Sequence, residues 1–197
     1  MKTKRIRFRQ KDYKIENAKD YLKDWTIEKY GCGPTSIANI LANFGYDVNP
    51  LYITKKIIFD KEMNFNPTYL REKGINYQGL IYVLDRLIEE EKFNIKYEII
   101  KIDFEKPEEQ KDKIIKMIKD GYMAVIHVGP SEISPYTFSK YGHYLVISDI
   151  DNNNNFYVIN SNEIGDSQLD TTYSYETIIQ NMFGRKDSFN FLFIKKY

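Results

Sequence analysis

The first strongly patterned stretch of the chain follows the string YGCG. In PTSIANILANFG the apolar residues Ile37, Ile40, Leu41 and Phe44 fall at i, i+3, i+4 and i+7, the spacing of one helical face. Pro34 suits the first helical position and Gly45 the residue just past the end, so a helix is expected between them. Asn49-Pro50 then opens a second helix to about Phe59, and NFNPTYLREKG reads as a loop or a short irregular helix. From about Tyr77, the residues Leu80, Leu84, Leu87 and Ile88 mark another amphipathic helix, which ends in the solvated acidic run Glu89 to Glu91. Residues 95–104, IKYEIIKIDF, read as a strand. Pro107 starts a further helix carrying Ile114, Ile115 and Ile118, and Gly121 stops it.

Beyond Gly121 the pattern changes. Met123 to Val128 is a continuous apolar run, the mark of a central strand. His143 to Ile150 and Phe156 to Asn160 are two more runs, joined by the polar turn Asp151 to Asn155 as in a hairpin. YETIIQNMF reads as a helix, and FNFLFIKKY as a closing strand. Helices come first and antiparallel strands second, with no parallel crossover pattern. The expected class is therefore α+β, in a single domain over residues 1–197. At the other end, MKTKRIRFRQK holds six basic residues and no acid, but no apolar stretch follows, so a cleaved secretion signal is not expected. The alternation of Arg5, Arg7 and Arg9 with Ile6 and Phe8 predicts a short edge strand with its charges outward. The sharper alternative is an arm for nucleic acid or an anionic membrane.

Composition narrows the function classes. A hydrophobic fraction of 42% and an aromatic fraction of 15% supply a sizeable core and exclude long disorder. No run approaches the ~18 apolar residues of a spanning helix. A net charge of +1, from 29 basic and 28 acidic residues, argues against a dedicated nucleic-acid binder. One cysteine makes no internal disulfide, so nothing depends on an oxidising compartment. There is no HxxxH, HxH or CxxC spacing and no glycine-rich phosphate loop, so neither metal nor cofactor is expected. Neither nucleic acid nor membrane is expected as a partner, and the expected location is the cytoplasm, or outside the cell after release by lysis.

The single cysteine, Cys32, falls at or one residue before the N-terminus of the first helix. A helix N-terminus offers free N–H groups and the positive end of the helix dipole, both of which stabilise a thiolate. Gly31 and Gly33 on either side let the backbone turn and leave the sulfur accessible. Position alone fits an inert buried cysteine equally well. Of the two histidines, His127 lies inside AVIHVG and reads as a core residue, whereas His143 follows Gly142 at a strand end, where side chains line clefts. Asn160 stands 17 residues after His143, across the turn, which makes the two cross-strand neighbours within about two to three residues of register. An amide oxygen beside one imidazole nitrogen fixes the tautomer and aims the other nitrogen at a sulfur.

YGCGPTSIANIL, followed 111 residues after the cysteine by GHYLVISDID and then by FYVINSN, resembles the papain-like cysteine peptidases. Within them it is most similar to the bacteriocin-leader (double-glycine) peptidase-like group and its stand-alone bacterial relatives, over roughly residues 10 to 162. The resemblance implies a papain-like fold, an N-terminal helical part packed on a C-terminal antiparallel sheet. It implies Cys32 as nucleophile, His143 as general base and Asn160 as the group that orients the histidine. Leader peptidases carry an oxyanion-hole glutamine six residues before the cysteine, where this chain has Thr26. Gln10, in RQKD, resembles the Gln-x-Asp element of the stand-alone relatives and is the candidate oxyanion residue, beside the backbone N–H of Cys32. Tyr136 and Tyr141, in the loop before His143, are expected to border the substrate groove. The implied activity is a thiol hydrolase that cleaves a peptide or isopeptide bond through an acyl-enzyme, and the implied partner is a peptide or protein substrate. The same triad would serve acyl or peptidyl transfer if an amine resolved the thioester, and a degenerate domain would bind peptide without chemistry.

Overall fold

A computed structural model describes residues 5–14, 25–58, 70–71, 74–134, 136–162, 169–184 and 190–197. They gather into two compact units, residues 1–94 and 95–197.

The first unit is built on helices. A short α1 (Ile27–Tyr30) is capped by Thr26, whose hydroxyl accepts the Lys29 N–H at 3.2 Å. Gly31 links it to α2 (Cys32–Asn43). A methyl group at Gly31 would lie 2.7 Å from the Cα and carbonyl oxygen of Ile27, so this close approach requires glycine. The helix ends where expected: Gly45 has φ +85°, and the Tyr46 N–H closes back on the Leu41 carbonyl at 3.0 Å. Its start lies two residues earlier than Pro34, and the burial is broader than one stripe, since every residue from Gly33 to Ala42 is buried. Asn49 caps α3 (Pro50–Tyr52), which continues as a wider π-type helix, Ile53–Ile58. Phe59 and most of the NFNPTYLREKG stretch lie outside the described residues. What is described there is a two-residue pair, β1 (Leu70–Arg71) antiparallel to β2 (Gly74–Ile75), too short to leave a period in the sequence. The Asn76 side chain accepts the Gly79 N–H at 2.9 Å to start α4 (Tyr77–Glu89), which buries Leu80, Val83, Leu84 and Leu87.

The expected N-terminal edge strand is not formed. Residues 5–9 belong to no strand ladder, and asparagines of α2 take the place of a neighbouring strand. The Phe8 N–H donates to Asn39 Oδ1 at 2.6 Å. Ile6 bonds Asn43 twice, N–H to Oδ1 at 2.9 Å and carbonyl from Nδ2 at 2.7 Å. The match is geometric. Two residues of extended chain advance about 6.7 Å, and four residues of helix about 6 Å.

The second unit is a six-stranded, wholly antiparallel sheet in the order β3-β8-β4-β5-β6-β7. Its strands are β3 (Ile95–Lys101), β4 (Met123–Val128), β5 (His143–Ile150), β6 (Phe156–Ile159), β7 (Thr172–Tyr173) and β8 (Asn190–Lys196). β4 lies inside the sheet, as its unbroken apolar run predicts. Between β3 and β4, a 3-10 turn at Pro107–Gln110 leads into α5 (Lys111–Lys119), which packs against β5; α6 (Tyr175–Met182) packs against β4. Alternate strand residues such as Ala124, Ile126, Leu145, Ile147, Phe191 and Phe193 join Ile114, Ile118, Ile178 and Met182 in one core. Each fully buried aliphatic or aromatic side chain of this kind contributes roughly 1.5–3 kcal/mol. His127 is buried and stacks on Tyr144, with ring centroids 4.4 Å apart. The fold is mixed, with helices and an antiparallel sheet, as the order of patterns implies. Among the described residues no helix is long and apolar enough to cross a membrane.

Candidate active site

In the first unit Cys32 opens α2 and is half-buried. The glycines on either side differ in role: Gly31 makes room for Ile27, while Gly33 is buried in the first turn. Gln10 is 2% exposed, and its Nε2 donates to the Glu28 carbonyl at 2.8 Å. The chain from residue 5 to 12 thus folds back onto α1, the turn that leads into Cys32. Thr26 occupies the position six before the cysteine, where its hydroxyl is the cap of α1.

In the second unit His143 and Asn160 meet directly, His143 Nε2 to Asn160 Oδ1 at 2.9 Å. Both are 2% exposed. Val146 opposes Ile159, so by count Asn160 comes level with Leu145, and the residue level with His143 is Asn162. His143 and Asn160 are diagonal neighbours, which long polar side chains bridge. Asn162 was not picked out from the sequence. Its Nδ2 reaches His143 Nδ1 at 3.3 Å, and its backbone N–H donates to Asn160 Oδ1 at 3.0 Å. Carrying the hairpin register three residues past the end of β6 would have found it.

Backbone groups settle which atoms donate. A backbone N–H only donates and a carbonyl only accepts. Asn160 Oδ1 faces the Asn162 N–H, and Asn160 Nδ2 donates to the Phe138 carbonyl at 3.4 Å. The amide is therefore fixed with its oxygen toward the ring. His143 must carry its hydrogen on Nε2, which leaves the Nδ1 lone pair as the basic site. Burial pulls the His143 pKa down to about 4, against the Asn160 hydrogen bond, which raises it. The ring rests neutral at physiological pH.

Phe138 is held from its other side by Asn181, a fully buried residue of α6 that sequence patterning also missed. Asn181 Oδ1 accepts the Phe138 N–H at 3.2 Å, and its Nδ2 reaches Ser134 Oγ at 2.9 Å and the Tyr136 carbonyl at 2.8 Å. Its carbonyl accepts the Gly129 N–H at 3.0 Å. One amide thus anchors the loop before His143 and, through Phe138, Asn160. Within that loop the Tyr136 ring packs on Phe138 and Tyr173, at 4.9 and 5.0 Å between centroids, while Tyr141 stands 79% exposed. Among the described residues no cluster of three or more histidine, cysteine or acidic side chains could hold a metal ion.

A cysteine heading a buried helix in one unit and a histidine–asparagine pair on an antiparallel sheet in the other are the elements of the papain-like cysteine peptidase fold. The model of the Peptidase_C39 like family matches residues 8–186, and the chain belongs to that family. Its fold is similar to that of a crystal structure described as a C39-like peptidase from Bacillus anthracis. The TM-score is 0.55 at 14% identity, covering 96% of this chain and 94% of that one. The peptidase domain of Streptococcus ComA, a bifunctional ABC transporter of a quorum-sensing pathway, matches with a TM-score of 0.49 at 16% identity. That match covers 85% of this chain and 92% of the domain. No curated protein matches the sequence.

Proposed function

We propose that the protein is a thiol hydrolase that cleaves a peptide or isopeptide bond, with Cys32 as nucleophile, His143 as general base and Asn160 as the orienting residue. The two units act as one functional domain over residues 1–197. The observation that carries this reading is the fixed tautomer of His143, whose Nε2–H is bound to Asn160 and whose Nδ1 is left basic. As Cys32 Sγ attacks the carbonyl carbon, its proton passes to Nδ1 and the carbonyl oxygen becomes an oxyanion. That oxyanion is stabilised by the Cys32 N–H and the Gln10 amide. The C–N bond breaks and the leaving amine takes the proton from Nδ1. Water then attacks the thioester, Nδ1 accepts a water proton, and collapse returns that proton to the thiolate and frees the acid. Tyr141, exposed beside the site's histidine strand, borders the groove for the peptide.

The test is the rate of Cys32 alkylation by iodoacetamide from about pH 4 to 9, in wild type and His143→Ala. A base acting on the thiol makes wild type faster than the variant through pH 5–7. A single rise near pH ~8.5 in both proteins, the behaviour of an ordinary thiol, would overturn the reading. The chain would then be a peptide-binding module, which the threonine at position 26 favours.

A further inference from the structure

We propose that Asn162 caps the proton-accepting nitrogen of His143: its side-chain amide holds the Nδ1 lone pair in the resting site, and the thiol must displace it before a proton can move. The hold on Nδ1 stands on the second unit alone, whereas the displacement rests on the reading of Cys32 and His143 as nucleophile and base.

The argument is one of donors and acceptors. With Nε2–H committed to Asn160, Nδ1 bears no hydrogen, so only the NH2 end of the Asn162 amide can face it, at 3.3 Å. The same residue reaches the other side of the ring through its backbone, donating to Asn160 Oδ1 at 3.0 Å. The imidazole is thus bracketed by two amides of opposite character. Asn160 is buried and tied to Phe138, while Asn162 is exposed. A hydrogen bond donated to a neutral ring nitrogen favours the neutral ring. Among the described residues the side chains bonded to the ring are these two, both uncharged; the next acids in sequence, Glu163 and Asp166, lie outside them. Asn162 therefore restrains the base, in contrast to Asn160, which aims it. Displacement breaks only the Asn162–Nδ1 hydrogen bond and replaces it with the thiol's; no covalent bond changes.

The experiment uses the full chain with 15N-labelled histidine. The ring nitrogens of His143 are followed against pH in wild type, Asn162→Ala and Asn162→Asp, with His143→Ala for assignment. Position 162 is exposed and outside the left-handed backbone region, so alanine fits without strain. In Asn162→Ala the protonation constant of His143 is expected to rise about threefold to tenfold, the span of one neutral hydrogen bond. Asn162→Asp, which accepts from Nδ1–H instead of donating to Nδ1, should raise it further. An unchanged or lowered constant in Asn162→Ala overturns the cap. Iodoacetamide at pH 6 then reads the displacement: Asn162→Ala should alkylate about threefold to tenfold faster than wild type. If His143→Ala slows alkylation and Asn162→Ala leaves it unchanged, the displacement is overturned. If His143→Ala has no effect, the Cys32–His143 reading fails, and the ring titration alone decides the cap.

Discussion

The candidate residues of the two units are held by different means. Cys32 is positioned by main chain: a capped turn, a glycine with no room for a side chain, and the first residue of a buried helix. His143 is positioned by residues far apart in sequence, through the side chains of Asn160 and Asn181 and the main chain of Phe138. Main-chain geometry suffices to place a residue at a helix end. A base needs its tautomer chosen as well as its place, and only a directional network does that.

Substitutions that damage one half and spare the other sharpen this contrast. The largest effect is expected from Asn181→Leu, which strands the buried Phe138 N–H and removes the amide's bonds to Ser134 Oγ and the Tyr136 carbonyl. A loss of about 3 kcal/mol in denaturant unfolding follows from one orphaned buried donor and the lost bonds together, with a broadened His143 ring titration. Gly31→Ala should cost about 2 kcal/mol, because the contact at Ile27 involves backbone that cannot swing aside. It should slow Cys32 alkylation yet leave the His143 titration unmoved; an equal effect on both would break the contrast. Gly184→Ala, whose methyl would meet the Gly129 carbonyl carbon at 2.8 Å, should resemble Asn181→Leu in a smaller measure.

A pH experiment isolates the His143 ring itself. The His143 pKa is lowered on folding, from an unfolded value of 6.5 to about 4, so the unfolded chain binds the extra proton within that window. This contribution to stability is complete above pH 6.5 and is lost as pH falls through about 4. The slope from this one group approaches ~1.4 kcal/mol per pH unit. His143→Gln should flatten the difference between pH 6.5 and 4 in urea unfolding; an identical profile would mean the ring is not held neutral. The smallest effect expected is that of Asn43→Ala, about 1 kcal/mol, from loss of the paired bonds to Ile6.

The same division governs how much the sequence could tell. Helix periodicity, the glycine past α2 and the apolar run of β4 are local signals, and they located those elements to within a few residues. The hairpin turn Asp151–Asn155 brought Asn160 to His143 by simple counting, and the tautomer then followed from which groups can donate. Asn181 was not visible, because a buried amide is recognised by what surrounds it and nothing at its own position marks it; Asn162 stands beyond the end of the strand pattern that located Asn160. The N-terminal segment misled for a related reason. Its alternation of charge and apolar side chains is that of an edge strand, but the acceptors it needed stood on a helix, as Asn39 and Asn43.

That docking makes residues 5–12 an intramolecular ligand. They lie along a ready-made receptor of two asparagines and deliver the Gln10 amide to the carbonyl of Glu28. A tether of this kind supplies an effective concentration on the order of millimolar. A chain shortened to begin after Asp12 would thus present a vacant receptor, and a synthetic peptide of residues 1–14 added at about that concentration should refill it in trans.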